Sequence, residues 1–356
     1  MHPRATLAPA LALSLAATAL AACAGTGSTA VPATGSAPTE SSTSRAQPVT
    51  VYSGRSESLV KPLLERLEQQ LGIAIQVRYG DSSELAAQIL EEGERTNADL
   101  FFSQDAGALG AVAAAGLLQP LEPAVVGRVT PGFADRERRW IATSARARVV
   151  AYHPAKAPEA AAFTTIDAVL DPKYRGAVGF APTNASFHSF VTALRVAKGE
   201  EGAKTWLMTF KANAPKAYDK NTAVLDGVDR GEVALGLINH YYWHAKVAEK
   251  GAANVTAKIR FLGSDDPGAL VNVAGVGVLK GSGEADDARR LLQALLSKES
   301  QQFFADTTAE YPVVPGVTGT VHALPALDSL TVANIDLNKL DSLKQTLALL
   351  TDVGLT

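Results

Sequence analysis

The chain has 356 residues and a formal net charge of -3 at pH 7, with 47% apolar and 19% charged residues. This composition supports a sizeable core and excludes a disordered chain, and the length favours two lobes over one domain. The mild charge argues against a nucleic-acid partner. A single cysteine excludes a disulfide framework and a cysteine-rich metal site, and 6 histidines leave only a small pool for a histidine-based metal centre.

The N-terminal region predicts export. Residues 1–22 combine a basic start with an Ala/Leu-rich segment too short to span a membrane, which is typical of a signal peptide. The run Leu20-Ala21-Ala22-Cys23 resembles a bacterial lipobox, so Cys23 is the predicted lipidation site; the alternative is an ordinary secretory signal with a chance cysteine. Residues 23–47 are rich in Gly, Ser, Thr, Ala and Pro and predict a flexible tether. We therefore expect a protein outside the cytoplasm, held to the membrane by a lipid anchor.

Strand and helix patterns alternate through the rest of the chain. The first part predicts strands at 50–53, 73–79 and 98–103, and helices at 56–71, from Ser82 or Ser83 to Leu90, and at 105–115. The later part predicts strands at 148–152, 177–180, 233–238 and 271–279, and helices at 187–196, 201–212, 285–296, 299–307 and 337–350. This order predicts an α/β fold of parallel strands with right-handed crossovers. Two such lobes would place a ligand cleft at the carboxyl ends of the strands.

Catalytic signatures are scarce. The sequence has no HExxH, GxSxG or GxxxxGK[ST] motif. Residues 58–61 match an SxxK string, but no SDN or KTG partner follows. An extracytoplasmic hydrolase would need a nucleophile and a base that the sequence does not offer, so we expect a binding protein rather than an enzyme.

The most informative segment joins an apolar strand to a helix that runs to Gly251, and it reads INHYYWHA over residues 238–245. At such a turn Tyr241 and Tyr242 can project towards one point in a cleft. A phenolate is a hard anionic donor, and a hard, highly charged cation would hold it ionised despite a free pKa of about 10. The alternatives are one core and one surface tyrosine, or a borderline divalent metal held by His240 and His244.

Several ordered segments resemble the bacterial ferric-iron-binding proteins of ABC transport systems. They are VYSGRSE (51–57), ADLFFSQDAGAL (98–109), RARVVAY (146–152), APTNASF (181–187), YDKNTAVL (218–225), INHYYWHA (238–245), DPGALVNVAGVGVLK (266–280) and EYPVVPGV (310–317). The resemblance implies a two-lobed, type II-like periplasmic-binding-protein fold with mostly parallel sheets flanked by helices. It also implies a monomer that closes around Fe³⁺ and delivers it to the permease and ATPase subunits of a transporter.

The resemblance implies lobe boundaries and iron ligands as well. The first lobe would comprise 48–146 plus 271–322, and the second 147–270 plus 323–356. The family's two iron-ligating tyrosines fall on Tyr241 and Tyr242, whereas its histidine and glutamate positions hold Ser56 and Gln104. The further residues expected in the cleft are Ser56, Gln104, Asp105 and Asn239. Asp105 is a candidate replacement ligand, but it is more simply a helix N-cap.

An accompanying anion is the last implied component. Fe³⁺ with two phenolates keeps a single positive charge, which is costly to bury, and a carbonate- or phosphate-like anion would cancel it. The resemblance places this anion against Asn184, Ala185, Ser186 and Asn221. Arg55 is expected to pair with it across the cleft, or else to be a solvated charge at the start of a helix. The alternative function is a receptor for a small organic or phosphorus-containing anion.

Overall fold

The computed structural model describes residues 47–263, 266–319, 321–330, 336–340 and 342–356. The predicted signal peptide, Cys23 and all but the last residue of the predicted tether lie outside the described residues. Within the described residues, none of the helices is both long and apolar enough to cross a membrane.

The strands form a nine-stranded sheet. They are β1 (Val49–Ser53), β2 (Ile75–Tyr79), β3 (Leu100–Ser103), β4 (Ile141–Tyr152), β5 (Val178–Phe180), β6 (Lys216–Ala217), β7 (Leu235–Asn239), β8 (Lys258–Arg260) and β9 (Val271–Val278). Their order is β2-β1-β3-β9-β4-β7-β5-β6, with β8 paired to β4. Every predicted strand is present, while β6, β8 and the first half of β4 were not predicted.

The helices lie between these strands and at the C-terminal end of the chain. They are α1 (Glu57–Leu71), α2 (Ser82–Glu92), α3 (Ala106–Ala114), α4 (Pro123–Val126), α5 (Ala185–Ala212), α6 (Asn221–Asp229), α7 (His240–Lys250), α8 (Ala285–Leu295), α9 (Lys298–Asp306), α10 (Leu327–Leu330) and α11 (Leu343–Val353). Helix α1 shows how the pattern works: Val60, Leu63, Leu64 and Leu67 form its buried face. Gly72 ends it in the left-handed conformation, with its N–H bonded to the Glu68 carbonyl.

One helix prediction differs from the structure. The two helices predicted at 187–196 and 201–212 are both present within α5, and they are separated at Gly199, where φ is 72° and ψ is 171° and the backbone is not helical. Glycine adopts this conformation easily, so the chain changes direction between the two helices. The predicted helix at 337–350 is wrong in its first part, because Leu337–Lys339 forms a separate 3₁₀ turn before α11 begins.

The prediction of mostly parallel sheets is wrong. The pairs β1–β2, β1–β3, β5–β6 and β5–β7 are parallel, whereas β3–β9, β4–β7, β4–β8 and β4–β9 are antiparallel. The antiparallel pairs lie in the middle of the sheet, where β4 carries the chain away from the first core and β9 brings it back. The fold is therefore α/β with a mixed sheet.

Strand β4 changes partners along its length. Residues 141–147 pair with β9, ending at Ala147 opposite Val271, and from Arg148 onwards the strand pairs with β7. The first core packs around β1, β3 and β9. Beyond the change, Val150 faces one apolar cluster while Val149 and Ala151 face another, because successive side chains of a strand point to opposite faces. Leu337 and Leu340 pack in the first core.

Candidate ligand-binding site

Tyr241 and Tyr242 occupy the first turn of α7, directly after β7. The residues are only 1% and 8% exposed, and their ring centroids lie 4.2 Å apart. Together with Ser56 and Thr222 they line a cavity of about 300 Å³. Among the described residues, none donates or accepts a hydrogen bond at either phenol oxygen. Both rings therefore face one cavity, and their hydroxyl groups remain available to a ligand.

The electrostatic surroundings of Tyr241 disfavour its ionisation in the absence of a ligand. Burial raises the pKa of Tyr241 well above its usual value, and Tyr242 adds to the rise, while Arg146 and Arg55 oppose it. A neutral phenol is a poor metal ligand, so a metal ion must displace the proton when it binds. Binding at this position is thus coupled to proton release.

The residues expected to hold an anion meet at the start of α5. Asn184 caps this helix: its Oδ1 accepts the Ser186 N–H at 3.0 Å and the Ser186 hydroxyl at 2.7 Å. The same oxygen accepts from Asn221 Nδ2 at 3.1 Å and from Gln104 Nε2 at 3.3 Å. Ala185 is the first residue of the helix and is buried. The predicted set is assembled, but several of its donors are already bonded within the set.

Arg55 is not a solvated charge. It is 2% exposed, and its Nη2 lies 2.5 Å from Glu310 Oε2. Its guanidinium carbon lies 6.0 Å from the centre of the Tyr241 ring. Burial lowers the pKa of Arg55, but Glu310 and Tyr241 outweigh that effect, so the pKa is raised. Arg55 is therefore a fixed positive charge beside the tyrosine pair.

The remaining predicted cleft residues lie in different surroundings. Ser56 is exposed at the start of α1 and contributes to the cavity of the tyrosines. Asp105 caps α3: its Oδ1 accepts from the Ala108 N–H at 3.0 Å and from the Ser189 hydroxyl at 3.1 Å, which confirms the simpler prediction. Burial raises the pKa of Asp105. Asn239 is buried directly before α7, and its Nδ2 has no partner among the described residues.

The protein backbone engages the first histidine of the segment, His240, and burial lowers the pKa of the second, His244, to about 4. His240 bonds through Nε2 to the Ala309 carbonyl at 2.7 Å and accepts the Ala147 N–H at Nδ1 at 3.2 Å. Burial lowers the pKa of His240 to about 4, so the ring is neutral near pH 7. Within the described ranges, no group of three or more His, Cys, Asp or Glu residues is arranged to hold a metal ion.

Two arginines of β4 lie at the site, although the sequence did not predict them there. Arg146 and Arg148 are buried on the same face of the strand, two positions apart. The Arg146 guanidinium has no hydrogen-bond partner in the described part of the chain, and its Nη1 lies 3.9 Å from Glu310 Oε1. Arg148 Nη1 donates to the Ser186 hydroxyl at 3.2 Å, and burial lowers the Arg148 pKa to about 10. The signal in the sequence was the RARVVAY segment, where two charges interrupt an apolar strand.

The comparisons with known proteins agree on a class. The sequence pattern of the bacterial extracellular solute-binding proteins matches residues 95–342, and the chain belongs to this family. Membership in this family confirms the prediction of a binding protein that is not an enzyme.

Particular relatives are more specific. The chain is 37% identical over 281 residues to the major ferric iron-binding protein of Neisseria meningitidis serogroup B, covering 78% of this chain and 84% of that one. It is 32% identical to the Fe(3+)-binding periplasmic protein of Serratia marcescens, covering 87% and 91% of the two chains. The fold matches iron-bound HitA from Pseudomonas aeruginosa with a TM-score of 0.81 and 34% identity, covering 86% of this chain and 99% of that one.

Proposed function

We propose that this protein captures Fe³⁺ outside the cytoplasm and delivers it, as a monomer, to the permease and ATPase of an ABC transporter. Tyr241 and Tyr242 are the proposed phenolate ligands. The observation that carries the proposal is the pair of buried phenol groups, free of protein hydrogen bonds within the described residues, on one cavity. The names of the Neisseria and Serratia relatives and the iron-bound state of HitA support the choice of metal.

A carbonate- or phosphate-like anion completes the proposed site. Fe³⁺ and two phenolates keep one positive charge, and the three buried arginines nearby, Arg55, Arg146 and Arg148, outnumber the one buried carboxylate paired with them, Glu310. Without a further anion these charges would repel one another in a medium that screens them weakly. Arg146 has unpartnered donors among the described residues, and Arg148 bonds to Ser186 of the cluster formed by Asn184, Ala185, Ser186 and Asn221.

The cleft lies between two proposed lobes that follow the predicted boundaries near 146 and 271. The change of partner along β4 at Ala147 and the start of β9 at Val271 support this division. Leu337 and Leu340 pack in the first core, so in our proposal the second lobe takes its C-terminal part from α11. Gln104 bonds to Asn184, and Asp105 to Ser189, across the boundary.

Iron binding is tested by colour and stoichiometry. Phenolate-to-Fe³⁺ charge transfer gives a visible band, so protein purified from iron-supplied cells should be red to purple and contain one iron per chain. Tyr241→Phe and Tyr242→Phe should each abolish the band, because each removes an anionic oxygen ligand. Tyr174→Phe is the matched control, since Tyr174 is a buried tyrosine that bonds to Glu159.

A colourless, iron-free wild-type protein that binds phosphate or a small organic anion would replace the iron proposal with the anion receptor. Retention of the band in both cleft variants would show that other groups bind the iron.

Membrane attachment is tested separately. Cys23 is the proposed lipid-bearing residue, and a diacyl anchor is stable because each buried methylene contributes about 0.8 kcal/mol. Cys23→Ser should move the protein from the membrane fraction to the soluble fraction of cells. A variant that remains in the membrane fraction would contradict the anchor and leave the iron site untouched.

A further inference from the structure

Residues 308–311 connect parts of the molecule that are far apart in sequence. They follow α9, and all four side chains are buried. Tyr311 exchanges two backbone hydrogen bonds with Ala145 of β4, each 2.8 Å long. This contact lies next to the point where β4 leaves the first core for the second.

The segment contacts both sides of the cleft. On one side, Glu310 Oε2 bonds to Arg55, which follows β1, and accepts the Thr308 hydroxyl at 3.0 Å. On the other side, the Ala309 carbonyl accepts His240 Nε2 at 2.7 Å, and His240 is the first residue of the helix that carries the tyrosines. The Ala309 methyl group packs in the same apolar cluster as Tyr241 and Tyr242.

Ala309 makes these contacts in an unfavourable conformation. Its φ is 55°, in the left-handed region, where a residue with a Cβ atom is strained. Such a conformation persists only when the surrounding contacts hold it. Here the contacts are the Glu310–Arg55 ion pair, the His240 bond and the pairing of Tyr311 with Ala145.

We propose that residues 308–311 form a latch that positions the tyrosine helix against Arg55 and so sets the rate at which the site releases its iron. Glu310 is the positioning residue, because it acts through Arg55, and Ala309 is the strained joint. Arg55 belongs to the first side of the cleft and His240 to the second. When the two sides separate, the segment loses one contact, and Ala309 relaxes to a negative φ.

This inference rests on the proposed function for its iron readout, and Ala309→Gly is its sharpest test. Glycine relieves the strain of the latched state and keeps the backbone bond to His240, losing only the Ala309 methyl group, so the latched state gains relative to the open one. We expect iron to pass to excess citrate about fivefold more slowly, which corresponds to about 1 kcal/mol of relieved strain. The matched control is Ala214→Gly, because Ala214 also has a positive φ, of 49°, but lies exposed between α5 and β6.

Glu310→Gln tests the positioning role from the other direction. Glutamine keeps the shape of the side chain but removes the charge that holds Arg55, so iron release to citrate should be about tenfold faster, equivalent to about 1.4 kcal/mol. The charge-transfer band of the loaded variant should stay at the wild-type wavelength, since Glu310 does not touch the metal. A shifted band would show that Glu310 is part of the coordination sphere and would overturn the positioning role.

Small-angle scattering of the iron-free proteins separates the latch from the proposed function. Ala309→Gly should have a smaller mean radius of gyration than wild type, and Ala214→Gly should match wild type. Equal radii and equal release rates for the two glycine variants would overturn the latch. If the wild-type protein forms no iron band, the proposed function fails, while the scattering comparison still decides on the latch.

Discussion

The β3–α3 and β7–α7 junctions have the same local architecture but different hydrogen bonding. At the first, Asp105 caps its helix and Gln104 bonds to Asn184. At the second, Asn239 makes no side-chain cap, and the described residues leave both phenol oxygens unbonded. The polar groups of the first junction hold the protein together, whereas those of the second remain available to a ligand.

The position of the polar side chain explains the contrast. The aspartate stands at the N-cap, where its carboxylate turns back to the first backbone N–H groups and satisfies the helix end itself. The tyrosines stand inside the first turn, where they line the cavity instead. A strand-to-helix junction thus becomes a cap or a binding position according to where along the helix start it carries its polar side chains.

The largest expected effect concerns His240, the structural residue within the second junction. Its pKa is about 4 in the folded protein, below its ordinary value of 6.5. Below pH 6.5, His240 therefore binds a proton in the unfolded chain, whereas in the folded chain it stays neutral until about pH 4. The free energy of unfolding should fall by roughly 3 kcal/mol between these values because of this residue.

Urea unfolding of iron-free protein at pH 7 and pH 4.5 measures this loss. His240→Gln keeps a donor for the Ala309 carbonyl but cannot titrate, so its stability should fall less than that of wild type over the same range. Parallel losses in the two proteins would show that His240 does not remain neutral in the fold.

Asp105→Ala should have an intermediate effect, and it sharpens the contrast between the junctions. The variant loses a helix cap and the bond from Ser189, which together amount to about 2 kcal/mol of the free energy of unfolding. Its iron band should be unchanged, because Asp105 Oδ1 is engaged by the helix cap and by Ser189; Oδ2 has no partner among the described residues and is the atom that a changed band would implicate. A stable variant that no longer binds iron would make Asp105 a ligand and remove the difference between the two junctions.

Ser189→Ala should have the smallest effect. It removes only the hydroxyl that donates to Asp105, while the cap remains, so we expect a loss below about 1 kcal/mol and unchanged iron release. Chemical denaturation together with the citrate transfer rate measures both quantities. Faster iron release without lost stability would instead mean that this bond helps to hold the cleft closed.

Local patterns made part of the fold and the site predictable. The buried face of α1, the cap at Asp105 and the strand-to-helix turn before Tyr241 depend on neighbouring residues and were read correctly. The antiparallel centre of the sheet was not predicted, because the pairing of β3 with β9 joins distant segments. The partner of Arg55 was missed for the same reason, since Glu310 lies 255 positions away.

The division of β4 between two cores has a consequence for how the chain folds. In the first core, β3 pairs with β9, which follows all the strands of the second core in sequence. A chain emerging from the ribosome therefore cannot complete its first core until almost all of it has been made, and pairings of such long range form slowly. This delay suits a protein whose N-terminus predicts export, because a chain that is still unfolded remains competent for translocation through a narrow channel.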